Sequence, residues 1–565
     1  MPIKKPTPKL APLGMASQAT SNQGESPEIH RGTAPKLQPS DFETPPLPER
    51  QANISGHSLQ QTTDSLNPKN IARPSTVELL ELRQRADKQT IQDAKALYQC
   101  MKGLGTDEDG VYTILEKRSP AQRDAVEKEF DKRYGVQFGS LTSAIYGDFS
   151  GAELQRALDA LHSGRPKAPP VGSQAFENLL DQTTDSKQRL NNSAQLLLDG
   201  TDSFAARRNL IRGATHSIYM QTFIFNDDAT GWDLARELSL RAQEGIDVRV
   251  IYDGIGSLRA APEMFDYMRE NGVQVHEYGD PVNQFWDLND RWHEKHLIVD
   301  QEVSIEGGMN IANEYALGGS GRLVFSRSEK AEEPWRDVDV RLTGPVVQDT
   351  VNAFRRNWES LTGEIIPLSN HPRTWTDTKG TTPVRFIQHR PDEEGDQNTR
   401  NAHLQSIRSA QDSITIENAY FLPPSDLRNA LINAAHRGVK VRVMTNSRES
   451  NDIGIVSDAA RYFYDDLVAA GVEIYEKSGG TLHSKTMTVD GTYSIVGSVN
   501  LNGRSQWRDS ESMAAISSES TAKTLEKRFE SGLTECKRIT GQELEDESLI
   551  TNLQQWAISF LAPTF

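Results

Sequence analysis

Two short segments of this chain are one device repeated, and that repeat constrains the architecture more than any other feature. Residues 293–310 read HEKHLIVDQEVSIEGGMN, and residues 483–500 read HSKTMTVDGTYSIVGSVN. Each runs His-x-Lys-x4-Asp, then six residues, then Gly-x-x-Asn. His293, Lys295, Asp300, Gly307 and Asn310 therefore answer to His483, Lys485, Asp490, Gly497 and Asn500. One His-x-Lys is an accident of composition. Two with matching tails imply a duplicated folding unit whose half-sites close around one ligand. Alternate strand residues share a face, so His and Lys two apart can enter one cleft. Two imidazoles, two ammonium groups and two Asn amides hold a cation poorly. They suit an anion that needs a nucleophile, a proton donor and fixed positive charge, and a phosphate ester fits best.

The duplication extends well beyond the motifs. IRGATHSIYMQTFIF (211–225) answers to IRSAQDSITIENAYF (407–421), EGIDVRVIYD to RGVKVRVMTN, and NGVQVHEY to AGVEIYEK, at an offset close to 190 residues. Apolar β-branched runs alternate with amphipathic stretches, which argues βαβ units around a largely buried sheet. Gly245 and Gly438 follow helical stretches at matching places and predict C-caps. The fold expected is α/β, with two pseudo-symmetric halves.

These residues resemble the phospholipase D superfamily, and most closely its cardiolipin synthase branch. QTFIFNDD, YDGIGS (252–257), GGMNIANEY (307–315), AAHRGVKVRV (434–443) and GSVNLNGRS (497–505) carry the likeness. The resemblance implies a two-step displacement at phosphorus. One imidazole attacks to form a phosphohistidine, and the other protonates the departing alcohol and then activates water or a second alcohol. By analogy with bacterial phospholipases D, His293 is the nucleophile. Lys295 and Lys485 would neutralise phosphoryl oxygens, and Asn310 and Asn500 would donate to them. No cofactor is required, because the lysines take the electrostatic role of a metal. Each His needs a partner on its other nitrogen. The second half supplies Glu511, with Asp509 competing. The first supplies Asp337, with Asp339 on the same strand face. Asp300 and Asp490 belong to the motif but read as ending its strand rather than touching substrate.

A smaller resemblance lies upstream. Between residues 89 and 162 the helical periodicity is broken by GLGTDED, Ser119-Pro120 and Ser150-Gly151, which predicts five short helices. With KRSPAQRDAVEKEF this resembles one annexin repeat. In annexins a Gly-x-Gly-Thr loop and an acidic side chain hold Ca2+. Here Gly103, Gly105 and Thr106 keep the loop, but Ala144 falls where the acid is expected, and Asp148 comes four residues late. Ca2+ wants six to eight oxygens, so the resemblance predicts a weak site in a docking module.

Composition sets the remaining bounds. With 565 residues the chain holds several domains. The division expected is a disordered leader 1–75, an annexin-like helical module 76–165, a linker 166–185, halves at 186–370 and 371–540, and a C-terminal helical tail 541–565. The leader is rich in Pro, Ser, Thr, Gln and Asn and cannot bury enough surface to offset chain entropy. Two cysteines exclude a disulfide framework. A net charge of −17 argues against nucleic acid as a partner. There is no run of ~20 apolar residues to span a membrane and no apolar core behind Lys4 and Lys5 to make a signal peptide. The unit therefore reads as soluble or peripheral. It sits in a bacterial cytoplasm or is delivered as an effector into a target cell, with a phospholipid surface as partner and an alcohol or water as acceptor. Oligomeric state is not readable. The function expected is phospholipase D-type cleavage or transfer of a phosphatidyl group. The alternatives are a cardiolipin synthase-like phosphatidyltransferase, a nuclease of the superfamily, and a non-catalytic scaffold, which two complete motifs disfavour. His216, His276 and His436 read as structural, and His296, on the opposite strand face from the motif, as core or support.

Overall fold

The computed structural model describes residues 76–102, 105–138, 141–149, 151–164, 168–279, 290–316, 334–369, 380–391 and 396–545. The expected leader, Gly103 of the Ca2+ loop and residues 546–565 of the expected tail lie outside the described residues.

The repeat produces a mixed sheet whose two halves mirror each other strand for strand. The first half contributes β1 (Gln188–Leu198), β2 (Ser217–Thr222), β3 (Asp247–Asp253), β4 (Gln274–Tyr278), β5 (His296–Val299), β6 (Val303–Gly307) and β7 (Val338–Thr343). The second contributes β8 (Thr382–His389), β9 (Ser413–Asn418), β10 (Lys440–Asn446), β11 (Glu473–Lys477), β12 (Lys485–Val489), β13 (Tyr493–Gly497) and β14 (Glu511–Ser517), with β15 (Cys536–Arg538) added at its edge. From the antiparallel β1–β8 join, one side runs β1-β7-β6-β5-β2-β3-β4 and the other β8-β14-β13-β12-β9-β10-β11-β15. Every residue of β2, β5, β6, β12 and β13 is buried, as expected for strands covered on both faces.

Three apolar clusters explain the layering. One lies under the helices of the first half, around Phe225, Leu234 and Met264. A second lies under those of the second half, around Ile416, Leu431 and Tyr464. The third is shared: Ile298, Val340 and Leu342 pack with Phe386, Val496 and Ala514 from the other half. The halves are thus joined through a common core. The helix Ala229–Gln243 starts on Asp228, whose side chain accepts from Gly231 N–H, and it is followed by Gly245 at φ 91°. Gly438 takes φ 88° at the equivalent place, so the expected C-cap glycines occupy the left-handed region in both copies.

Upstream, α1 (Thr76–Cys100), α2 (Glu108–Glu116), α3 (Pro120–Phe138), α4 (Leu141–Asp148) and α5 (Gly151–His162) surround their own core of Leu97, Val111, Phe130, Ile145 and Leu161. α3 and α5 begin at Pro120 and Gly151, as the punctuation predicts. α1 differs from expectation: at 25 residues it is not short, and it starts well before residue 89.

One expectation needs correction. The segment 166–185, expected as a linker, contains the helix Gln174–Thr183, capped by Ser173. Phe176 and Leu180, four apart on one face, are fully buried in the core of the second half. Buried Glu177 meets Arg385 of β8 at 2.8 Å. The flexible composition ends at Gly172, and the next residues form an amphipathic helix that the core absorbs.

Candidate active site

His293 and His483 lie just ahead of β5 and β12, beside the carboxyl ends of β2 and β9. The pairings of Gln221 with His296 and of Asn418 with Lys485 set this register. Backbone bonds lace each histidine loop to the opposite half. His293 N–H donates to Ser510 O (2.9 Å) and Ser510 N–H to Arg291 O (2.7 Å). His483 N–H donates to Arg336 O (2.8 Å) and Arg336 N–H to Thr481 O (2.9 Å).

The expected acids are there, and the pairing crosses between halves. His293 Nδ1 lies 3.0 Å from both carboxylate oxygens of Glu511, which belongs to the second half. His483 Nδ1 lies 2.6 Å from Oδ2 of Asp337, which belongs to the first. The competitors are engaged elsewhere: Asp509 with Arg504 at 2.9 Å, and Asp339 with buried Arg207 at 2.8 Å. Neither half-site is therefore complete without the other.

Lys295 and Lys485 are buried beside their own histidines. Each Nζ donates to the carbonyl of its own His, and Lys485 Nζ also lies 2.8 Å from His483 Nδ1. The two motifs act on one another, since Lys485 bears on His293 and Lys295 on His483. Burial disfavours every charge here. It lowers Lys295 to about 7 and Lys485 to about 8, and raises Asp337 and Glu511 each to about 8. Burial, and then the lysines, hold both imidazoles well below their ordinary value.

A site of buried, reluctant cations favours an anion that restores their charge. Without an anion beside them, Lys295 loses its proton above about 7 and Lys485 above about 8. A bound anion raises both values, so binding above neutrality takes protons up. Sulfate, whose own charge is constant here, should bind more weakly as pH rises toward 9, by up to about tenfold per pH unit for each proton gained. Calorimetry in buffers of different ionisation enthalpy reads this directly. A pH-independent affinity with no proton uptake would contradict it.

Asn310 departs from expectation, while Asp300 and Asp490, which belong to the motif, end its strands and do not reach the site. They sit at φ 53° and 51° at the far ends of β5 and β12. Asp300 accepts from Thr215, His216 and Ser217 N–H, and Asp490 from Gln411, Asp412 and Ser413 N–H, so each clamps the turn into its neighbouring strand. Asn310, expected to donate to a phosphoryl oxygen, instead donates from Nδ2 to the Tyr315 hydroxyl at 2.8 Å, while its Oδ1 accepts from Ile224 N–H at 3.0 Å. Asn500 has its Oδ1 buried and lacking a hydrogen-bond partner among the described residues.

Sequence reasoning missed the aromatic surround. Phe223 meets the His293 ring edge-on at 4.9 Å, and Tyr315 and Trp335 lie 5.1 and 5.3 Å from the His483 ring. It also missed Ser498, whose hydroxyl donates to Glu511. His296 is a support, as expected. It lies fully buried between Glu294 and Glu306, and these carboxylates outweigh burial to raise it to about 10.

At the Ca2+ loop, Gly105 takes φ 94°, and the Asp148 side chain hydrogen-bonds Thr106. Ala144 is buried in the helical core, and Asp148 brings a carboxylate to this loop. Among the described residues no group of three or more His, Cys, Asp or Glu could hold a metal.

The comparisons agree with this geometry. A family model described as "Cardiolipin synthase, PLD-like domain" matches residues 208–323 and 403–533, and the annexin family model matches 92–161. The cardiolipin synthase of Halalkalibacterium halodurans is 30% identical over 374 residues, spanning 66% of this chain and 72% of its own. Cardiolipin synthase A of Pseudomonas entomophila is 30% identical over 375 residues, spanning 66% and 75%. Among solved structures, the phosphatidylserine synthase of Haemophilus influenzae Rd KW20 covers 69% of this chain and 100% of its own, with a TM-score of 0.54 at 15% identity, a likeness of fold.

Proposed function

Because this chain belongs to the cardiolipin synthase-type, phospholipase D-like family of enzymes, we propose that it transfers a phosphatidyl group from one phospholipid to an alcohol through a phosphohistidine. The observation that carries this reading is the crossed pairing of each imidazole with the other half's carboxylate, around two buried lysines. His293, with Nδ1–H directed to Glu511, presents Nε2 to phosphorus. The anionic substrate raises His483, whose Nε2 takes up a proton from solvent on binding; a P–N bond then forms, the P–O bond to the departing alcohol breaks, and that oxygen takes the Nε2 proton of His483. The acceptor alcohol then gives its proton to His483 and attacks phosphorus, and the P–N bond breaks. Lys295 and Lys485 balance the phosphoryl charge throughout.

Transfer is favoured over hydrolysis on two grounds. The relatives are named as synthases, and the aromatic walls of Phe223, Tyr315 and Trp335 make a poor seat for water. Neither ground supports delivery into a target cell. The test is the lipid product profile from phosphatidylglycerol vesicles, with and without added ethanol. Transfer predicts phosphatidylethanol in proportion to ethanol and a lipid carrying two phosphatidyl groups without it. Phosphatidic acid alone in both cases would contradict it.

No described helix is long and apolar enough to cross a membrane. The proposal therefore assigns contact with the lipid surface to the annexin-like module at 76–165, with the halves at 186–370 and 371–540 carrying the chemistry. Deleting 76–165 should reduce activity on vesicles at least about tenfold more than activity on a small soluble phosphodiester, the scale expected when a second point of attachment is lost. A chelator should leave the soluble reaction unchanged, because no step uses a metal. Equal losses on both substrates would show that the module supports the catalytic fold instead.

A further inference from the structure

The pseudo-twofold that relates the halves fails at Tyr315, beside His483. Tyr315 follows Asn310 by five residues, and the residue five after Asn500 is Ser505. The Ser505 side chain hydrogen-bonds Glu511, the partner of His293. Tyr315 instead spans the interface and lies 3.4 Å from Nε2 of His483 itself. Its ring is fully buried, held against Trp335 at 4.9 Å and against the His483 ring at 5.1 Å.

The direction of these bonds follows from the donors. Asn310 Oδ1 accepts from Ile224 N–H, which orients the amide so that Nδ2 is the group facing Tyr315. Nδ2 can only donate, so the phenol oxygen accepts there and its own proton is available to His483. Asp337 Oδ2 lies 2.6 Å from Nδ1 and, as the carboxylate, accepts the proton of that nitrogen. Nε2 then carries the lone pair, which the phenol faces.

We propose that Tyr315 is a positioning residue for the transfer reaction: oriented by Asn310, its hydroxyl donates to Nε2 of His483 and fixes that imidazole as the Nδ1–H tautomer. Asp337 and Tyr315, both from the first half, then face Nδ1 and Nε2 of His483, while Lys485 Nζ lies 2.8 and 3.0 Å from the same two nitrogens. His483 is the acid–base member of the pair. Its Nε2 waits on a hydroxyl that the oxygen of an incoming alcohol replaces. The inference rests on the function proposed above. It also accounts for Asn310, which acts on the reaction through Tyr315 rather than by touching phosphate.

The test is nitrogen NMR of the full chain labelled with 15N-histidine, with His483 assigned by its loss in His483→Gln. It is paired with pH profiles of kcat and KM on a soluble phosphodiester. Wild type should show His483 protonated at Nδ1 and bare at Nε2. In Tyr315→Phe the ring stays but the donor is gone. Protonation of His483 then becomes easier, because a donor to the lone pair had favoured the neutral form. The limb of the kcat/KM profile belonging to His483, which reads the free enzyme, should move to higher pH by about half a unit or more. At fixed pH kcat should fall roughly 10–100-fold with KM little changed, less than the ~10²–10⁴-fold that the acid–base group itself contributes. A proton on Nε2 of His483 in wild type would overturn the proposal even if Tyr315→Phe failed to fold. So would an unshifted profile in a folded Tyr315→Phe. The NMR needs no substrate, so failure to find transfer products would count against the function and leave the tautomer result standing.

Discussion

His293→Ala and His483→Ala each abolish turnover, with losses of at least ~10⁴-fold and no further loss in the double variant, because residues acting as one unit are grossly non-additive. The two losses differ in kind. Without His293 no phosphorus–nitrogen bond forms and no labelled enzyme accumulates. Without His483 the departing alcohol has no proton donor, and a substrate with a good leaving group, such as a nitrophenyl phosphodiester, should still label His293 and stall there. Steady-state rates with quenched labelling of each variant check this. Both histidines are buried and ring-packed, so thermal melts must accompany the rates. Residual activity near wild type in either variant would show that one motif suffices alone.

Glu511→Gln and Asp337→Asn should each reduce kcat ~10²–10⁴-fold with the fold intact, the range seen when the acid behind a catalytic imidazole becomes an amide. Each acid, when ionised, accepts from the Nδ1–H beside it, leaving Nε2 for the reaction. An amide can donate to Nδ1 instead, which places the proton on Nε2 and favours the wrong tautomer. The crossed pairing makes the outcome specific. Glu511→Gln, in the second half, should block formation of the intermediate on His293 in the first. Asp337→Asn should permit labelling by an activated substrate and slow the proton-dependent steps. The reverse pattern would mean that each acid serves the histidine of its own half.

Much of this arrangement was legible in the sequence because duplication is a strong signal. Matching His, Lys, Asp, Gly and Asn at one spacing announced two half-sites, and alternating β-branched and amphipathic runs announced strands in mirrored order. Glu511 and Asp337 were legible as acids, but their crossing was not, since it depends on the packing of Ile298 and Val340 against Phe386 and Val496 that brings the loops together. The helix Gln174–Thr183 was hidden by the Pro- and Gly-rich stretch before it, although Ser173 with Phe176 and Leu180 is a readable cap and apolar face. Asn310 misled because a motif residue can serve a neighbour rather than a ligand. Tyr315 was visible only as a failure of the repeat against Ser505, a signal that similarity between the halves does not show.

Two half-sites make one reaction centre, and the covalent intermediate reports on this through its stoichiometry and position. Rapid quenching of the full chain with a phosphorus-labelled soluble phosphodiester, then peptide mapping under alkaline conditions that preserve phosphohistidine, reads both at once. A single shared centre gives at most one phosphoryl group per chain, on His293, accumulating in His483→Ala with an activated substrate. Two phosphoryl groups per chain, one on each of His293 and His483, would mean two independent sites and refute the shared centre.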